Sequence, residues 1–156
     1  MSKAIYFDMD GTIYDLYSIK NWLELLENED ESAYSIGNPL VDLNKLKEIC
    51  LKLIACGYKI GIISWAAKGS SFEFYLKTQK AKWDWKEKNM PYVSEFYVQE
   101  YGTPKQYAIN KKSSLMILVD DNEEVRAKWN TAKQRISIDA QNNILEALED
   151  ILNNEY

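Results

Sequence analysis

Two periodicities alternate along this chain. Short continuous apolar runs occur at Ala4-Ile5-Tyr6-Phe7, Ile60-Gly61-Ile62-Ile63 and Leu115-Met116-Ile117-Leu118-Val119. Runs of this length, apolar at every position, predict strands buried on both faces. Between them the apolar residues fall at helical spacing. Asp42 is placed to cap a helix whose stripe is Leu43, Leu46, Cys50, Leu53 and Ile54, with Gly57 ending it and the second strand starting at about Lys59. Ser70 or Ser71 is placed to cap another, in which Phe72, Leu76, Gln79 and Trp83 share a face and which Pro91 stops. Further elements are predicted at Trp22 to Asn28 (helix), about Glu95 to Val98 (strand), after Pro104 (short helix), Glu123 to Lys133 (helix), Arg135 to Ile138 (strand), and a last helix carrying Ile144, Leu148, Ile151 and Leu152.

Strands alternating with helices predict an α/β fold: a three-layer α/β/α, Rossmann-like, doubly wound parallel sheet of about five strands with right-handed crossovers. No internal repeat, low-complexity tract or interdomain linker interrupts the pattern, so residues 1–156 read as one domain. The segment Glu27 to Gly37 is the one flexible excursion expected.

Composition narrows the chemistry. A chain of 156 residues, 46% hydrophobic and 28% charged, is ordinary for a globular protein with a real core. No stretch approaches the roughly 18 apolar residues of a membrane span, and no signal-peptide core precedes the first strand, so a cytoplasmic location is expected. Cys50 and Cys56 lie on different faces of the helical pattern and read as reduced thiols. The chain has no histidine, which excludes a Ser-His-Asp or Cys-His triad, a His-ligated zinc site and a histidine base. Carboxylates, hydroxyls, lysines and a metal remain.

Asp8-Met9-Asp10-Gly11-Thr12 directly follows the first apolar run. In extended backbone, residues i and i+2 point the same way, so Asp8 and Asp10 can face one pocket at the strand's C-terminal edge. Gly11 permits a sharp turn and Thr12 supplies a hydroxyl donor. Two neighbouring carboxylates repel unless a cation or a shared proton relieves them, which points to a divalent metal; one can then attack as a nucleophile while the other moves protons. Ser64 closes the second apolar run, Lys105 follows Gly102-Thr103-Pro104, and Asp120-Asp121 closes the third run. In an open parallel sheet these strand ends converge on one crevice.

This set in this order, spanning residues 4 to about 122, resembles the haloacid dehalogenase-like (HAD) superfamily. The resemblance implies a Mg²⁺-dependent phosphatase working through an aspartyl-phosphate. Asp8 is then the nucleophile and Asp10 the acid/base. Thr12, Ser64 and Lys105 bind the substrate phosphate, and Lys105 gains a helix-start dipole for the bound anion. Asp8, Asp10 (through its backbone carbonyl), Asp120 and Asp121 form the metal set. Two mild departures occur: Pro104 precedes Lys105, whereas many members carry the proline after the lysine, and the acidic pair is adjacent. Family members often insert a cap domain. Here roughly Tyr14 to Pro39 suffices only for a flap or small helical insert, so an open site is expected.

A phosphate monoester on a nucleotide or a nucleic-acid end is the expected substrate. The stretch Lys77 to Lys88, with Lys77, Lys80, Lys82, Lys86 and Lys88 around Trp83 and Trp85, can be drawn either as a strand-tracking surface or as an amphipathic helix with solvated lysines. A net charge of -5 leans against a dedicated nucleic-acid binder. Tyr14, Tyr17, Trp22 and Tyr34 in the flap can stack on a base or pack in a core. Glu123 and Arg126 read as helix-face residues. Alternatives on the same residues are a phosphotransferase, disfavoured without a cap to exclude water, and a non-catalytic phospho-binding module. The order of motifs argues against a receiver domain, and a metal-free dehalogenase fits the acidic pair less well.

Overall fold

The computed structural model describes residues 2–154. Its five strands are β1 (Lys3–Phe7), β2 (Tyr58–Trp65), β3 (Glu95–Gln99), β4 (Leu115–Asp120) and β5 (Arg135–Asp139). All pair in parallel, in the order β3-β2-β1-β4-β5. The order reverses at β1, between β2 and β4, so the crevice of this doubly wound sheet opens at the C-terminal end of the central strand. Phe7 sits beside Ile62 on one side and Val119 on the other, and the Asp8 amide extends the ladder with a 2.9 Å bond to the Val119 carbonyl.

Helices cover both faces. On one, α2 (Leu43–Ala55), α3 (Phe72–Asn89) and α5 (Ile144–Asn153) close a core built around Ile5, Phe7, Leu46, Leu53, Phe74 and Leu148. On the other, α4 (Glu123–Trp129) packs Val125 and Trp129 against Ala4, Tyr6, Met116 and Leu118. Asp42, Ser71, Asn122 and Asn143 cap these four helices through their side chains, each accepting from backbone amides of the first turn. Gly61 has a steric reason to lack a side chain: a Cβ there would stand 2.5 Å from the Tyr6 ring. No disulfide joins Cys50 to Cys56. Among the described residues, no helix is long and apolar enough to cross a membrane.

Three expectations about helices are corrected. The face of α3 bearing Phe72, Leu76 and Trp83 points to solvent, and the buried face carries Phe74, Thr78, Lys82 and Trp85. The helix after β4 stops at Trp129, short of Lys133. The segment after Pro104 is a single 3₁₀ turn, Lys105–Ala108, too short to lend a helix dipole to an anion.

The insert between β1 and α2 contains α1 (Trp22–Glu27) and a 3₁₀ turn at Glu31–Tyr34. It is tied down rather than free, correcting the flexible excursion expected at Glu27 to Gly37. Buried Tyr14 donates its hydroxyl to the Ala33 carbonyl at 2.6 Å and accepts from the Gly37 amide at 2.8 Å. Tyr14 also sets its ring edge-on to Trp85 of α3, 5.7 Å between centroids.

Candidate active site

Asp8 emerges from β1 into a nearly dry position. Lys105 reaches it from its 3₁₀ turn and donates to Asp8 Oδ1 and to Asp120 Oδ2, both at 2.7 Å. Burial alone would pull the Lys105 ammonium down, but Asp8 and Asp120 outweigh it and hold the group above the usual lysine range. Thr12 donates to Asp8 Oδ2 at 3.1 Å, with Asp121 Oδ1 at 3.3 Å. Its hydroxyl is thus turned onto the carboxylates. Gly11, at φ +79°, makes the turn that brings Thr12 there.

Asp120 is fixed from several directions. The Asn122 amide donates to its Oδ1 at 2.9 Å, and Arg126 donates from Nη1 to its carbonyl at 3.0 Å while pairing with Asp139 at 3.3 Å. Arg126 therefore supports the site rather than decorating a helix face. Asp8, Asp120 and Asp121 each offer a carboxylate oxygen, all within 4.8 Å of one another. Burial and the Asp8 charge raise Asp120 to about 6 and Asp121 to about 7. Carboxylates held this close and this reluctant to ionise form an all-oxygen set short of positive charge, which fits a hard divalent cation such as Mg²⁺.

Asp10 faces elsewhere. Its carboxylate turns from this cluster to Lys82, whose Nζ donates to Asp10 Oδ2 at 2.9 Å, to Ser64 Oγ at 2.6 Å and to the Trp65 carbonyl at 2.8 Å. Lys82 is wholly buried, with Nζ 4.6 Å from the Tyr34 ring centroid. Burial raises Asp10 above the usual carboxylate range, and Lys82 opposes part of that rise. In sequence, Lys82 reads only as one of a run of basic residues. A signal is nonetheless present in the spacing Phe74, Thr78, Lys82, Trp85, one helical face bounded by aromatics.

All of the sequence-selected residues thus lie together: Asp8, Asp120, Asp121, Thr12 and Lys105 in one cluster, Asp10 and Ser64 in a second around Lys82. Asp8, Asp10, Lys105, Asp120 and Asp121 line a cavity of about 370 Å³, whereas Thr12 and Ser64 are buried outside its lining. Its walls include Tyr17 and Trp22, edge-on at 4.9 Å, and Trp65 and Tyr101, tilted at 5.1 Å. Tyr17 and Tyr101 are more than half exposed.

No family model matches the chain, and no curated protein matches it. Among solved structures it is similar to the D,D-heptose 1,7-bisphosphate phosphatase from Burkholderia thailandensis. The TM-score is 0.54 at 12% identity, over 97% of this chain and 99% of that one. This likeness extends to the whole α/β fold.

Proposed function

We propose that the protein is a Mg²⁺-dependent phosphatase that hydrolyses phosphate monoesters through an aspartyl-phosphate on Asp8. The observation carrying this reading is the division of two acids, two residues apart, between unlike surroundings. Asp8 is held by Lys105 and Thr12 in the acidic cluster, whereas Asp10 is half-buried against a separate, buried lysine. Carboxyl groups whose environments differ in this way are suited to different roles. The phosphatase fold neighbour and the order of motifs support the same reaction class.

A carboxylate oxygen of Asp8 attacks phosphorus, the ester P–O bond breaks, and Asp10 gives its proton to the departing oxygen. Water then attacks the aspartyl-phosphate. Asp10 takes a proton from that water, and inorganic phosphate leaves with the Asp8 carboxylate restored. Lys105, which lines the cavity, offsets charge on the phosphoryl oxygens. Asp8, Asp120 and Asp121, with the Asp10 backbone carbonyl that the family resemblance adds, would hold Mg²⁺, which when bound neutralises charge between the carboxylates and the phosphate.

The aromatic walls favour a substrate with a flat ring, so a mononucleotide is the proposed substrate. A nucleic-acid end is less well supported. Of the basic stretch on α3, Lys82, Lys86 and Trp85 are buried, and exposed Lys77 and Lys80 pair with Glu73 and Asp84. The test is phosphate release from p-nitrophenyl phosphate, mononucleotides, end-phosphorylated oligonucleotides and sugar phosphates, with and without Mg²⁺. Release that needs both Mg²⁺ and Asp8, lost in Asp8→Asn, is expected. Turnover persisting in Asp8→Asn would remove the covalent mechanism, and silence across the panel from folded protein would move the reading to phospho-binding.

A further inference from the structure

We infer that Lys82 is a positioning residue that assigns the hydrogen-bonding directions of Asp10 and Ser64. This rests on the phosphatase reading above and adds to it a residue from outside the motifs.

An ammonium has three hydrogens. Those of Lys82 have three acceptors within 2.9 Å, namely Asp10 Oδ2, Ser64 Oγ and the Trp65 carbonyl, and the Tyr34 ring covers the group. Lys82 is fully buried and its donors are already committed, so it is not poised to bind a phosphoryl oxygen itself. Its effect lies in what it leaves its partners able to do. Ser64, buried behind the cavity wall, accepts from Lys82, so its own hydrogen must point away from the ammonium. Asp10 Oδ2 faces a group that can only donate, so a proton on that oxygen would meet the lysine's hydrogens. Oδ1 is buried and has no partner among the described residues, so Lys82 is the group that fixes this carboxylate. Lys82 thereby holds the carboxylate of Asp10, a cavity-lining residue, in one orientation for proton transfer. It lies on α3, outside the motifs in sequence, and joins the loop after β1 to the end of β2 through one side chain.

A residue that acts through the acid matters most when the leaving group needs a proton. The experiment therefore compares kcat/KM for p-nitrophenyl phosphate, whose leaving group departs unaided, with that for a simple alkyl phosphate. Lys82→Met is expected to lower the alkyl value by about 100-fold, within the range for misplacing an acid/base group, and the nitrophenyl value by less than about 10-fold. Equal losses on both esters, or no loss, overturn the inference. Lys82→Gln, similar in length and neutral, repeats the comparison if the methionine variant does not fold. The unmutated protein supplies a reading free of any Lys82 variant: ¹⁵N NMR should show a slowly exchanging lysine ammonium signal that moves in Ser64→Ala, and absence of that signal also overturns it. Asp8→Asn separates the two levels. If turnover survives in that variant, or the wild type turns over neither ester, the phosphatase reading fails and this inference with it. If Asp8→Asn is dead while Lys82→Met and Lys82→Gln lose both esters equally, the inference alone fails.

Discussion

Gly11 lies so close beneath Asp121 that a Cβ on it would stand 2.6 Å from the carboxylate oxygen Oδ2. The glycine is at φ +79°, where a side chain is strained even in open space. Gly11→Ala therefore meets two penalties, about 1–2 kcal/mol of backbone strain and a displaced Asp121. The expected result is a lower melting temperature and weaker Mg²⁺ binding, read by calorimetry and by metal titration. Wild-type metal affinity in this variant would show that Asp121 has no part in the cation set.

Lys105 is the only cation in hydrogen-bond contact with the carboxylates of Asp8 and Asp120 among the described residues. Removing one partner of a buried ion pair costs about 3–5 kcal/mol, and here two carboxylates lose the same partner. Lys105→Met is expected to destabilise the metal-free protein by roughly that amount and to abolish turnover. Mg²⁺ should restore part of the stability and none of the activity. A variant as stable as wild type without metal would contradict the arrangement.

The raised values of Asp120 and Asp121, about 6 and about 7, set a pH dependence. Ordinary carboxyl groups in an unfolded chain titrate near pH 4. Between that pH and about 7 the folded protein binds more protons at these two sites than the unfolded chain. Stability therefore falls as pH rises through this window. A divalent cation favours the ionised carboxylates and opposes the fall. Scanning calorimetry should show Mg²⁺ raising the melting temperature more at pH 8 than at pH 5, and the metal-free decline should be shallower in Asp121→Asn. Equal stabilisation by Mg²⁺ at both pH values would be the contrary result.

Tyr14→Phe tests the insert. The change leaves the Gly37 amide and the Ala33 carbonyl without their hydroxyl partner. A loss of about 1–3 kcal/mol is expected for polar groups stranded in this way, measured by denaturant unfolding. Protease cleavage within residues 14–39 should become faster. A stability unchanged within error would show that the insert is held by its other contacts.

The sheet and the strand-end residues are legible in the sequence because both obey short-range rules. Apolar runs mark parallel strands, and a parallel sheet gathers the residues after each strand at one edge, so Asp8, Ser64 and Asp120 can be placed without knowing how the helices turn. Lys82 cannot. Its role depends on the rotation of α3 about its own axis, and hydrophobicity favours the face of Phe72, Leu76 and Trp83, which lies in solvent. Part of that face is served otherwise, since Trp83 sets its ring edge-on to Phe96, 5.4 Å away. Arg126 is hidden for a related reason: its target is a backbone carbonyl, which no side-chain pattern advertises. The 3₁₀ turn at Lys105 shows the limit of Pro104 as a helix signal, because a proline at the first turn starts a helical segment without setting its length.

Asp8, Ser64 and Asp120 stand on or directly after three adjoining strands, with β1 bonded to both neighbours along its whole length. Their mutual spacing is therefore a property of the sheet ladder, the part of such a protein that opens last. Heating should accordingly give a single inactivation curve superimposed on global melting, with no earlier phase in which a folded protein has lost its catalytic geometry. The working parts and the frame fail at the same temperature because at these positions they are the same hydrogen bonds.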